Sequence, residues 1–393
     1  MRILIAAPSF SSEISGLQRH ALNLARCLLL RPEIRELHFA LAPWQSGFVE
    51  GTGLVDDSRF VTHIADLRGG SLDRNLWYYR RLPEMARRLD ADLVHLSFPM
   101  PVDRSAFRCP TVVTLHDLYP YEIPMNFGFP KFLLNRVALR QCLRNIDAVA
   151  CVSDITVARL RQYFPAAAAR AVRIYNCIEA IASSAGDSPI PGWNGEPFFL
   201  AVAQHRRNKN LSLQIRAFHR LLRSGHIAPV TRLLIVGIRG PETARLHKLV
   251  ARLRLTSHVC FLQGISDAEL QWCYRHCEAL VSPSVTEGFG LPVAEGILAG
   301  CRIVASDIPA HREIGDGVCT LVRLRNNPEQ TLADAMLAVL GEPKPQPEKL
   351  PQFSASLLAN QYVSLYRRLL AGSTTSRATN RAIGLAASER QSL

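Results

Sequence analysis

Short, wholly apolar runs alternate with stretches of helical periodicity along most of this chain. In the first half, Arg2–Ala7, Leu37–Ala42, Asp92–Leu96, Thr111–Leu115, Ala148–Val152 and Val172–Ile174 read as strands. Between them Gly16–Leu30, Arg74–Leu89, Lys131–Arg144 and Ser153–Tyr163 carry apolar residues three and four apart, the spacing of helices. The strand runs do not alternate polar with apolar. They are therefore expected to be buried on both faces, as in a parallel sheet covered by helices. Ser183–Pro197, rich in Ser, Gly and Pro, breaks the pattern and reads as a linker. The alternation then restarts: strands at Phe198–Ala203, Arg232–Val236, His258–Leu262, Ala279–Ser282 and Arg302–Ala305, helices at Leu211–Leu222, Pro241–Leu253, Asp267–Cys277, Pro292–Ala299 and Asn327–Leu340. A proline-rich connector, Pro343–Pro351, leads to a last amphipathic helix, Ser354–Leu370.

This pattern predicts an α/β protein of two Rossmann-like domains, 1–185 and 196–345. A final helix, 352–371, and a disordered tail, 372–393, complete it. Two open parallel sheets place a ligand at the carboxyl ends of their strands, in the cleft between domains. The length of 393 residues exceeds what one core usually supports, in agreement with two domains. A hydrophobic fraction of 48% with 20% charged residues excludes a disordered chain. No run approaches the roughly 20 apolar residues of a membrane span. The first residues read as a buried strand rather than a leader, so a cytoplasmic protein is expected.

The ten cysteines are scattered through apolar runs, the usage of reduced thiols packed as small hydrophobes. Cys273 and Cys277 are spaced as one helical turn facing the core. Net charge is +13, and of the 46 basic residues only five are lysine. The excess lies mainly after residue 190, where 24 basic residues face 15 acidic ones; before it the counts are 22 and 18. Such a surface suits phosphorylated small molecules or anionic lipid. No basic run interleaved with aromatics points to nucleic acid.

The chemistry concentrates in Ser282–Gly296, a loop that follows a strand and opens a helix. Gly288 and Gly290 permit a sharp turn and close approach to a ligand. Pro292 suits the first helical turn. Free N–H groups at such a helix start favour an anion, and a diphosphate fits. Glu295, read as lying in the first turn, is placed to accept both hydroxyls of a ribose, and Glu287 to hold a sugar hydroxyl. A helix cap explains one of these carboxylates but not both.

Glu287-Gly-Phe-Gly-Leu-Pro-Val-Ala-Glu295 resembles the Glu-x7-Glu motif of retaining, nucleotide-sugar-dependent glycosyltransferases of family 4, which have the GT-B fold. Gly300–Asp307 with Glu313, Thr114-Leu-His-Asp117, Ile174-Tyr-Asn-Cys177 and Asn208-Lys-Asn210 resemble further motifs of that family, in order, and the likeness runs from Met1 to about Leu370. The resemblance implies that Glu295 binds the donor ribose. It implies that Glu287 contacts the transferred sugar, with the backbone of Gly288, Phe289, Gly290 and Leu291. Lys209 would neutralise the donor diphosphate, Gly16 would approach it, and His116 would lie at the reacting sugar. Departures fall on the phosphate side: Ser15-Gly16 for a double glycine, Ala203 for a glycine, and Asn208 for an arginine. Arg206 and Arg207 lie nearby and are the candidates to supply the missing cation. Cys177 and Gly296 also depart from the usual glycine and alanine.

Asp90-Ala-Asp92 has the form of a metal-binding Asp-x-Asp, but it precedes a buried strand, at the end opposite the ligand. It reads as a turn, and neither a metal nor another cofactor is expected. The expectation is a hexosyltransferase that uses a UDP- or GDP-sugar of mannose or glucose type. Its acceptor would be a glycan or lipid hydroxyl in cell-envelope polysaccharide or lipopolysaccharide synthesis. Peripheral contact with an anionic membrane is expected near Trp77–Tyr79 and Phe127–Phe132. The alternative is a catalytically weak sugar-nucleotide-binding subunit. The Glu-x7-Glu motif argues against an epimerase and the length against a phosphorylase. No Gly-x-Gly-x-x-Gly after the first strand supports a nicotinamide enzyme.

Overall fold

The computed structural model describes residues 1–178 and 188–390, with the side chains of the last helix described to Gly372. Two all-parallel sheets form its core. The first runs β3-β2-β1-β4-β5-β6-β7, with β1 Arg2–Ala6, β2 Glu36–Leu41, β3 Phe60–Ile64, β4 Leu93–Leu96, β5 Thr111–Leu115, β6 Ala148–Cys151 and β7 Ala171–Arg173. The second runs β10-β9-β8-β11-β12-β13, with β8 Phe198–Val202, β9 Arg232–Val236, β10 Val259–Leu262, β11 Ala279–Ser282, β12 Ile303–Ser306 and β13 Thr320–Val322. Both have the order of a doubly wound Rossmann sheet, with the topological switch beside β1 and beside β8.

The central strands are mostly apolar because each feeds two cores. In β1, Ile3 and Ile5 pack against the first helix, Gly16–Leu29, and the last helix. Leu4 and Ala6 face the opposite core with Trp77, Tyr78 and Leu82. In β8, Phe198 and Leu200 face Trp272 and Val293, while Phe199 and Ala201 face Phe218 and Ile235. Successive residues of a strand point to opposite faces, so one apolar run serves both layers.

The last helix crosses back to the first sheet. Leu358, Ala359, Tyr362, Val363 and Tyr366 lie in the same core as Ile3 and Leu28. It extends over Ala355–Arg390, well past Leu370. The stretch expected as a disordered tail is therefore helical backbone to Arg390. Among these residues Ala and Arg are strong helix formers, and proline is absent after Pro351. Residues 179–187, which hold the first domain boundary and the start of the expected linker, lie outside the described residues, as do 391–393. Helical backbone covers Ser71–Arg88 continuously, with a π-turn over Trp77–Arg81. Among the described residues no helix is long and apolar enough to cross a membrane.

Candidate active site

The loops after β1, β5, β8 and β11 meet in the cleft. Gly16 opens the first helix behind its N-cap Ser15, and a Cβ at Gly16 would stand 3.8 Å from Leu291 Cδ1. The starts of the helices Gly16–Leu29 and Leu291–Leu298 thus face one another across the two domains.

Glu287 is 8% exposed and held by three side chains. Lys209 Nζ donates to both its oxygens at 2.6 and 2.8 Å, Ser284 Oγ donates at 2.6 Å, and the Tyr119 hydroxyl donates from the other domain at 3.1 Å. Burial pushes this carboxyl up. The Lys209 ammonium, His311 and the Ser284 hydroxyl outweigh burial and hold it below the usual carboxylate range. Lys209 reaches it from the end of a 3-10 turn, Arg207–Lys209, which Asn210 closes with φ 52°.

Glu295 lies just beyond the first turn of Leu291–Leu298, not within it, because the helix begins one residue before Pro292. Its carboxylate accepts from the Tyr274 hydroxyl at 2.7 Å. Burial raises it above the usual carboxylate range, against the opposing pull of Arg19 and Tyr274. Arg19 comes from the first helix and pairs with Asp267 at 2.6 Å across the cleft.

His116 donates from Nε2 to Ser97 O at 2.9 Å. A carbonyl only accepts, so Nε2 carries the proton and Nδ1 is an acceptor. Burial lowers its pKa to about 4, so the ring is neutral at physiological pH. The neighbouring Asp117 carboxyl is raised to about 6, chiefly by burial, while Arg206 opposes the shift.

The glycines do something the sequence does not disclose. A Cβ at Gly288 would lie 1.7 Å from His116 O. Glycine is required there by the opposite domain. The Gly288 carbonyl in turn accepts from Ser153 Oγ and, at 3.1 Å, from Thr156 Oγ1. Gly290 has φ 104° and caps the helix. Gly296 departs from the usual alanine because a Cβ would meet Leu280 Cδ2 at 2.7 Å, so helix and sheet touch closely here. Phe289 points away from the cleft, into an aromatic cluster with Tyr175 and Phe353. Only its backbone is available to a ligand. The Leu291 side chain packs against the same core.

On the phosphate side, Arg206 lines a pocket of about 230 Å³ with Arg207, Asn210, Ser212, Glu242 and Arg245. Asn208 does not take an arginine's place. It is buried between the domains, accepting from Asn126 at 3.0 Å and donating to Thr286 O at 3.3 Å. Asp90 and Asp92 form a turn before β4 and bind Arg2, with Asp92 accepting its backbone N–H at 2.7 Å. Among the described residues no cluster of three His, Cys, Asp or Glu is placed to hold a metal ion.

Sequence reasoning missed Arg19, Tyr119, Tyr274 and Ser284. Ser284 sits three residues from Glu287 in the loop the sequence singles out, and that spacing is the available signal.

Residues 14–180 match the family described as Glycosyltransferase Family 4, and residues 187–354 match Glycosyl transferases group 1. The chain is 27% identical to the O-antigen chain mannosyltransferase RfbU of Salmonella typhimurium over 206 residues, 51% of this chain and 53% of that protein. It thus spans about half of RfbU. It is 23% identical to the O-antigen chain mannosyltransferase B of Escherichia coli over 80% of this chain and 84% of that protein. Among solved structures, WaaG, a glycosyltransferase involved in lipopolysaccharide biosynthesis, aligns with TM-score 0.65 at 18% identity, over 94% of this chain and 98% of WaaG. HepE of Anabaena, in complex with UDP and glucose, aligns with TM-score 0.60 at 18% identity, over 97% and 99%.

Proposed function

Because the chain belongs to the glycosyltransferases of the family 4 type with the GT-B fold, we propose that it transfers a hexose from a UDP- or GDP-sugar with retention. The acceptor is a hydroxyl of a glycan or glycolipid, in cell-envelope polysaccharide or lipopolysaccharide assembly. Mannose is the favoured sugar, in keeping with the mannosyltransferases among its relatives.

One observation carries this reading. Glu287 is fixed at the meeting point of the domains by Lys209, Ser284 and Tyr119. Glu295 stands eight residues on in the adjoining helix. Glu295 accepts from the ribose hydroxyls, and Glu287 orients a hydroxyl of the transferred sugar. Lys209 and Arg206 stabilise the charge that develops on the departing diphosphate. His116, neutral, offers Nδ1 as an acceptor to the sugar. Among the described residues no carboxylate takes the role of a nucleophile in this reading. The leaving phosphate oxygen removes the acceptor proton on the face from which it departs, and closure of the domains limits attack by water.

The acceptor approaches the first domain beside the segment 125–137. There Phe129 is 82% exposed, and Leu134 and Val137 stand out beside Lys131 and Arg136. This is the surface proposed to touch an anionic membrane. Trp77 and Tyr78 do not share the role, because they are buried in the core. Sedimentation with anionic vesicles at low salt tests the contact, and protein left in the supernatant refutes it.

The test of the reaction is nucleotide release, without added metal, from GDP-mannose, UDP-glucose, UDP-galactose and UDP-N-acetylglucosamine. Release from one donor, lost in Glu295→Ala, supports the transferase. Donor binding with no release under any acceptor favours a binding subunit instead.

A further inference from the structure

Behind His116 lies a chain of buried polar groups that the reaction does not use. The Tyr366 hydroxyl is 2.6 Å from His95 Nδ1. His95 Nε2 is 2.8 Å from Thr114 Oγ1, and the same oxygen is 3.2 Å from His20 Nε2. His20 Nδ1 is 2.8 Å from Asn176 Oδ1. All five residues are at most 4% exposed. They come from the last helix, β4, β5, the first helix and the segment after β7.

Valence fixes the direction of every proton. Asn176 Oδ1 only accepts, so His20 carries its proton on Nδ1. Its Nε2 is then an acceptor and takes the single Thr114 hydroxyl proton. Thr114 Oγ1 therefore receives a proton from His95 Nε2. His95 Nδ1 becomes an acceptor, and Tyr366 donates to it. Four hydrogen bonds run one way, and each depends on the next. The His20 ring stands edge to face with His116, 4.6 Å between centroids at 84°.

We propose that this proton-ordered chain holds the His20 ring, and through it His116, in the orientation transfer requires, so that Tyr366, His95, Thr114 and His20 are positioning residues. The inference rests on the reading of His116 as a group at the reacting sugar. It also joins the two segments that pass between the domains. Asn176 leads into the first crossing, and Tyr366 lies on the helix that follows the second. Removing the Tyr366 hydroxyl leaves His95 Nδ1 a buried acceptor without its donor, while His95 Nε2–H still holds Thr114 and Thr114 still donates to His20.

The test uses full-length protein labelled with 15N-histidine. In the parent protein His20 is expected as the Nδ1–H tautomer, and His95 and His116 as Nε2–H. Thr114→Val keeps the shape but removes the hydroxyl. It should shift the His116 ring signals and lower kcat about tenfold, the scale of a small misplacement. Donor KM should stay within about twofold. Thr114→Ser keeps the hydroxyl and should leave both readouts near the parent. A packing role predicts the reverse, since serine loses the methyl group. Tyr366→Phe, at the far end, should shift the His95 Nδ1 signal while His95 keeps its Nε2–H form and His20 its Nδ1–H form. Any other tautomer of His20 or His95 in the parent overturns the proposal. So do equal effects of the two Thr114 variants on the His116 signals. If the parent transfers no sugar from any donor, the reading of the site fails, and the tautomers and His116 signals still decide the chain.

Discussion

Replacing Lys209 with methionine separates the two forces acting on Glu287. The carboxylate side chain is 7% exposed and the ammonium partner 20%, so this is a mostly buried pair. Removing one partner of such a pair typically costs about 3–5 kcal/mol. Here Ser284 and Tyr119 still donate to the carboxylate, so about 3 kcal/mol at pH 8 is the expectation. In the parent protein Glu287 has a depressed pKa. It therefore contributes stability above its unfolded pKa that is lost as pH falls through the folded value. In Lys209→Met burial is opposed only by His311 and the two neutral donors, and the pKa moves up. The sign then reverses: the variant is relatively more stable at low pH, where Glu287 is protonated, and loses stability as pH rises through the raised value. Lys209→Met/Glu287→Gln removes both charges and should recover to within about 1 kcal/mol of the parent. Urea unfolding at pH 5 and pH 8 of the three proteins measures all of this. A Lys209→Met loss that is the same at both pH values, or a double variant no more stable than the single one, would refute the reasoning.

Glu295→Gln keeps the Tyr274 contact but weakens acceptance from ribose hydroxyls. Calorimetric donor affinity should fall by about tenfold, the scale of one charged hydrogen bond, and unchanged affinity would remove Glu295 from the ribose site. Gly288→Ala places a methyl against His116 O. It should force the domains apart, seen as a larger radius of gyration by X-ray scattering with transfer at least about tenfold slower. Asp117 has a raised pKa of about 6, so it contributes stability below its unfolded pKa that is lost as pH rises through about 6. Asp117→Asn should abolish that slope in denaturation measured from pH 4 to 7. His116, with a pKa of about 4, should leave no inflection in the rate above pH 5, and one near 6.5 that vanishes in His116→Asn would contradict its neutral state.

The strands were legible where they are central. Thr111–Leu115, Arg232–Val236 and Ala279–Ser282 have the predicted bounds because burial on both faces leaves an unbroken apolar run. Two of the four edge strands were not, while Ala171–Arg173 and Val259–Leu262 were read within one residue of their bounds. Phe60–Ile64 exposes most of its side chains, and Thr320–Val322 has only three residues, so neither writes such a run. The short helix Pro309–Gly315 has too few turns to show a period. Lys209, Glu287 and Glu295 were legible as candidates because Asn208-Lys-Asn210 and Glu287–Glu295 are short motifs readable in sequence. Tyr119 and Arg19 are not, since their partners are 168 and 248 residues away. The requirement for glycine at position 288 was visible, but its cause, a carbonyl of the other domain, is a property of closure alone.

The second domain also caps a helix of the first. Ser153, which caps Asp154–Tyr163, donates its hydroxyl to Gly288 O, and Glu313 of the second domain accepts the Asp154 and Ile155 N–H groups at 2.6 and 3.1 Å. Each is a bond that water can replace when the domains part, so opening strands no buried donor. An enzyme must release its nucleotide in every cycle, and a cleft sealed by apolar surface would have to expose that surface each time. A seam of exchangeable caps lets the turnover frequency be set far from the sugar. Changing Glu313 alone would alter how long the cleft stays shut, while every group that touches substrate is left in place.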